Sequence, residues 1–97
     1  MMTEAEILEK VKTTLGITGN YLDDVVLMHI EEVIQYLTDA GVQEKVIYSA
    51  ASVGVISRGV SDLWNYGNAA GKLSEYFMQR AIQLCYKNGA DDNVQTE

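Results

Sequence analysis

EKVIYSAASVGVISRGVSDLWNYG, residues 44–67, decides the fold, because its middle is apolar or small on almost every side. The β-branched residues alone suggest a strand. The stretch is too long for one strand, however, and the small polar run Tyr48–Ser52 is poor strand material. A helix apolar all round is a helix buried by several neighbours. The segment therefore predicts a central third helix, starting near residues 43–45, in an all-α protein. Gly54 and Gly59 each cost about 1 kcal/mol in a helix interior relative to Ala, so close packing or a bend is expected to offset them.

The flanking segments repeat at helical spacing, and the chain contains no proline. Thr3 and Glu6 have the spacing of a capping box, and Ile7, Leu8, Val11 and Leu15 form one stripe that Gly16 ends. Asn20 is the expected cap of a long second helix of about 20 residues, roughly 30 Å, ending at Gly41. Its inner stripe is Leu22, Val26, Ile30, Val33 and Leu37, with Asp24, Glu31, Gln35 and Asp39 outside. Asp23 and Asp24 suit its first turn, where the helix dipole favours negative charge. Ser74 caps a last helix carrying Phe77, Ala81, Leu84 and Asn88 on one face, with Leu73 packing over its start and Gly89 as its stop. The expected architecture is a small four-helix domain over residues 1–88, with a long second helix and a buried central third helix. Residues 89–97 read as a flexible acidic tail.

Composition narrows the function. A chain of 97 residues holds one small domain, and its net charge of −7 opposes gripping of nucleic acid or anionic membranes. Cys85 is the single cysteine, which rules out an intrachain disulfide and suits a reducing compartment. The start MMTEAEILEK lacks the pattern of a signal peptide, and the longest uncharged run, 12 residues between Lys45 and Arg58, is short for a membrane span. A cytosolic protein is expected.

Candidate chemistry is sparse. NYGNAAGKLS (65–74) nearly reads as a phosphate loop, but only three residues separate Gly67 from Gly71, and Leu73 follows Lys72 where Ser or Thr is needed. It also follows a helix rather than a buried strand, so it reads as a turn between helices. His29 and Glu32 have one metal-like spacing, yet a single His and a single Cys are too few for a metal site. A half-buried, hydrogen-bonded His29 and a small core Cys85 are the expected roles. No catalytic, cofactor or metal residue is assigned. Trp64, Tyr66, Tyr76 and Phe77 flank the glycine loop; such aromatics suit a subunit interface, and they equally suit a hinge between two helices of one chain. Trp64, Tyr66, Gly67, Gly71, Lys72 and Tyr76 are the candidate subunit contact or hinge, with an acidic side chain on a neighbouring subunit as the expected partner of Lys72.

The segments DDVVLMHIEEVIQYLTDAGV (23–42) and AASVGVISRGVSDLWNYGNAAGKLSEYFMQRAIQL (50–84) together resemble the small helical head–tail connector proteins of tailed bacteriophages and prophages. The resemblance, over about residues 4–88, rests on helix length, apolar spacing and loop position. It implies a structural protein of the virion neck, present in the bacterial cytoplasm before assembly. It implies a homo-oligomeric ring, usually dodecameric, beneath the portal protein, which extends the DNA channel and docks the next neck or tail completion protein. DNA would pass without sequence-specific binding, and neither catalysis nor a cofactor is implied. A helix apolar all round in so small a chain further suggests burial by neighbouring subunits. The competing reading is a helical regulatory or adaptor module without catalytic activity.

Overall fold

In the computed structural model, residues 1–65 and 73–87 are described. They form helices α1 (Glu4–Leu15), α2 (Asp23–Asp39), α3 (Glu44–Ile47), α4 (Val53–Asn65) and α5 (Glu75–Cys85), with one 3₁₀ turn at Ala50–Ser52. No strand occurs among the described residues. The protein is all-α, with five helices among the described residues where four were expected.

α1 begins as its sequence requires. The Thr3 hydroxyl accepts from the Glu6 N–H, and the Glu6 carboxylate accepts from the Thr3 N–H, at 3.1 and 2.8 Å. It ends at Gly16, whose φ of 75° lets the Ile17 and Gly16 amides turn back onto Lys12 and Thr13 carbonyls. Gly41, at φ 102°, closes α2 in the same way, with the Val42 amide bonded to the Leu37 carbonyl. Ile17 and Val42, the residues after the two glycines, fold back onto the core.

The entry to α2 differs from expectation. The cap is Leu22, without a side-chain bond, and Asn20 contributes only its backbone carbonyl to the Asp23 amide. What fixes this end is charge. Lys12, buried in the last turn of α1, places its Nζ 2.7 Å from the Asp23 carboxylate. Each partner also sits at the helix end whose dipole favours its charge. The resulting α2 has 17 residues.

The expected third helix is divided. Ser49 accepts from the Ala51 N–H as a local cap, and its hydroxyl donates to the Val46 carbonyl. The fully buried Ser52 hydroxyl serves the Ile47 and Ser49 carbonyls. These serines bond the backbone at the end of α3 in place of helical amides, which is how serine competes with helix continuation. Gly54 consequently lies in the first turn of α4 with open space where a Cβ would be, and needs no packing partner.

α4 is the central helix, packed by α1, α2 and α5. Val55, Ile56, Val60 and Leu63 join Ile7, Val11, Val26, Ile30, Val33 and Leu37 in one core. Gly59 is the closest crossing. A Cβ there would stand 2.8 Å from a Val33 methyl and 2.9 Å from the Phe77 ring. The offset expected for Gly59 is therefore close packing, by side chains of α2 and α5. Val55, Ile56, Val60 and Leu63 of α4 are buried within one chain, so their burial requires no neighbouring subunit, whereas Gly54 and Arg58 are exposed and Val53, Ser61 and Trp64 half-buried.

Candidate assembly surface

α5 is attached to the core by an apolar and a polar joint. In the apolar joint, Phe77 is fully buried and meets the Tyr36 ring edge-on, with centroids 5.4 Å apart. Ala81 and Leu84 continue the same face, and the half-buried Cys85 donates its thiol to the Ala40 carbonyl at 3.4 Å. The helix closes at Tyr86, before Asn88 and Gly89, which lie outside the described residues.

The polar joint centres on Asp62, near the end of α4 and only 3 % exposed. One carboxylate oxygen accepts from the Ser74 backbone N–H at 2.9 Å, and the other lies 3.2 Å from Nε of Arg58, one turn earlier. Ser74 in turn caps α5 by accepting from the Phe77 N–H. A buried carboxylate needs such partners, and here they include the positive end of a helix. The Arg58 guanidinium also lies over the Tyr76 ring, 5.1 Å from its centroid. The start of α5 is thus registered on α4 by Tyr76, Arg58, Asp62 and Ser74.

Of the six candidate contact residues, Trp64 and Tyr76 are described and do not meet as one cluster. Trp64 is half-buried, tilted against His29 at 5.9 Å, and lines an open hollow with Leu15, Ile17 and Ser61. Tyr76 is exposed at the polar joint. Tyr66, Gly67, Gly71 and Lys72 lie outside the described residues. Among the described residues the His29 imidazole meets the Trp64 ring and makes no hydrogen bond, unlike the expected hydrogen-bonded histidine. No group of three or more His, Cys, Asp or Glu among the described residues is placed to hold a metal ion. No described helix is long and apolar enough to cross a membrane.

Sequence reasoning missed Arg58 and Asp62, although their i, i+4 spacing is that of a helical ion pair. It also missed where apolar surface remains uncovered. Tyr21, in the turn before α2, and Val25 and Met28 in its first turns are all exposed. On α5, Met78, Ile82 and Tyr86 recur every four residues, also exposed.

The profile of the family described as phage connector protein matches residues 7–65, more than half of the chain. The chain belongs to this family. It is therefore a structural phage protein that joins other head and tail components, and its place is the virion neck. Neither the curated proteins nor the solved structures contain a match. The matched segment of the connector spans most of α1 and all of α2 to α4, including Gly59 and Asp62. α5, with Ser74 and Phe77, lies beyond it.

Proposed function

We propose that this connector assembles as a homo-oligomeric ring beneath the portal at the capsid vertex. The ring extends the DNA channel, helps retain packaged DNA and offers a docking surface to the next neck or tail protein. Family membership over residues 7–65 carries this reading. The net charge of −7 supports it, since an acidic wall lets DNA pass without holding it. Exposed apolar residues on α2 and α5 supply surface for subunit contact. In the family's usual form the ring has twelve copies. The connector waits in the host cytoplasm until a filled head presents its portal. Residues 1–88 form the assembling domain, and 89–97 lie outside the described residues.

The test is to incubate the purified connector with portal oligomers and image the mixture by negative stain. An added ring of density on the portal is expected. Bare portals beside free connector, at every concentration, would count against the proposal. In a separate titration, duplex DNA should show no tight, salt-dependent binding.

A further inference from the structure

The chain has only 7 basic side chains against 14 acidic ones, so the placement of the basic ones is informative. Tyr76, Arg80 and Gln83 of α5 recur after four and three residues and share one exposed side of the helix. Lys87 follows four residues later, where its amide bonds to the Leu84 carbonyl and keeps the chain close to a helical path. Arg58 of α4 joins this side, because its guanidinium lies over the Tyr76 ring. Glu75 sits on the other side of α5, with Met78 and Ile82. The single carboxylate of α4, Asp62, is buried and paired with Arg58. A basic stripe thus runs from Arg58 across Tyr76 to Arg80 and Lys87, and neither α4 nor this side of α5 exposes a carboxylate along it.

The outer side of α2 has the opposite charge. Asp24, Glu31 and Gln35 recur after seven and four residues, all exposed, and α2 carries no lysine or arginine. The spacing matches as well. Asp24 and Glu31 stand seven residues apart, as do Arg80 and Lys87, so each pair spans about 10 Å. Two acids on one helix can therefore meet two bases on another at once. Among the described residues no ion pair within the chain uses any of these four.

The geometry points to a contact between connector copies in which the acidic side of α2 lies along the basic stripe of α4 and α5 on the next copy. This inference rests on the ring proposed above and specifies the surfaces that join its copies. Duplex DNA is the other polyanion such a stripe could hold. A net charge of −7 repels DNA, whereas α2 supplies a row of carboxylates at matching intervals. The two surfaces differ, so every pair leaves one of each free, and the contact repeats until rotation closes the ring. Exposed ion pairs are individually weak and screened by salt. Isolated copies therefore pair poorly, and a closed ring, which uses both surfaces of every copy, persists.

Charge reversal tests this without disturbing the core. One variant carries Arg80→Glu with Lys87→Glu, and the other carries Asp24→Lys with Glu31→Lys. All four positions are exposed, so the fold should survive, as circular dichroism would verify. Each variant is incubated with portal, alone and in equal mixture, and the copies that sediment with portal are counted. Either variant alone sets like charges together at every joint, so bound copies should fall at least tenfold. In the mixture each variant complements the other at both surfaces, so alternating rings should return. If wild type forms rings, then rings from either variant alone, or none from the mixture, would overturn the inference and leave the ring reading intact. Rings of the Arg80→Glu, Lys87→Glu variant that fail to retain DNA in filled heads would make the stripe a DNA contact and overturn the inference. Absence of rings from wild type would overturn both.

Discussion

The two sides of α2 obey different rules. Its inner side, Val26, Ile30, Val33 and Leu37, is fully buried against α4, and Gly59 lets it approach so closely that one methyl group would not fit. Its outer side carries Val25, Met28 and four exposed carboxylates, with the exposed Tyr21 just before it. α5 repeats the division, with Phe77, Ala81 and Leu84 inside and Met78, Ile82 and Tyr86 outside. Inner residues decide whether the chain folds. Outer residues are free to decide what the folded chain joins.

Substitutions should separate the two sides. Phe77→Ala should be the most damaging, losing about 3–5 kcal/mol in chemical denaturation, because a fully buried ring leaves a cavity between α2, α4 and α5. A milder, more diagnostic pair uses the two glycines of α4. Gly59→Ala should destabilise by about 1–3 kcal/mol through overpacking against Val33 and Phe77, despite the better helix propensity of Ala. Gly54→Ala, with open space around its Cβ, should stabilise by about 0.5–1 kcal/mol. Equal effects at both positions would remove the close crossing from the account.

Asp62→Ala tests the polar joint. It leaves the Ser74 N–H without its acceptor and Arg58 without its partner, and about 1–3 kcal/mol should be lost. Amide exchange at Ser74 should speed up more than exchange at Val33, since α5's start is released before the core opens. Changes on the outer side should move stability least. Ile82→Asp should leave the unfolding midpoint within about 0.5 kcal/mol of wild type, the range usual for surface positions, while abolishing assembly.

Alkaline pH gives a further, smaller effect. Burial of the Tyr48 phenol, with Glu4 and then Glu44 adding to it, raises its pKa above the ordinary value. The fold therefore favours the neutral phenol. That contribution is complete below the unfolded value near about 10 and is lost as pH rises through the higher folded value. Between those two values the melting temperature of the wild type should fall faster than that of Tyr48→Phe.

The inner side was legible in the sequence because burial leaves a period. Thr3, Gly16, Ser74 and the stripes of α1, α2 and α5 lie where spacing and capping chemistry put them. The outer side was not, because an exposed Met28 or Ile82 has the same identity as a buried one, and only packing reveals which faces are filled. The break between α3 and α4 escaped for a different reason. Ser49 and Ser52 are compatible with a helix until their hydroxyls are seen on the Val46 and Ile47 carbonyls. The candidate contact at the glycine loop rests on clustering in sequence; Trp64 packs on His29 and Tyr76 on Arg58, while Tyr66, Gly67, Gly71 and Lys72 lie outside the described residues. Asp62 was overlooked because its main partner, the Ser74 amide, is twelve residues away.

Native mass spectrometry of portal oligomers saturated with connector tests the central claim most directly. The account predicts a single dominant complex carrying a full ring of connector copies, lost when Ile82→Asp replaces wild type. Portals that carry no connector, or a broad spread of partial occupancies with no preferred number, would contradict it.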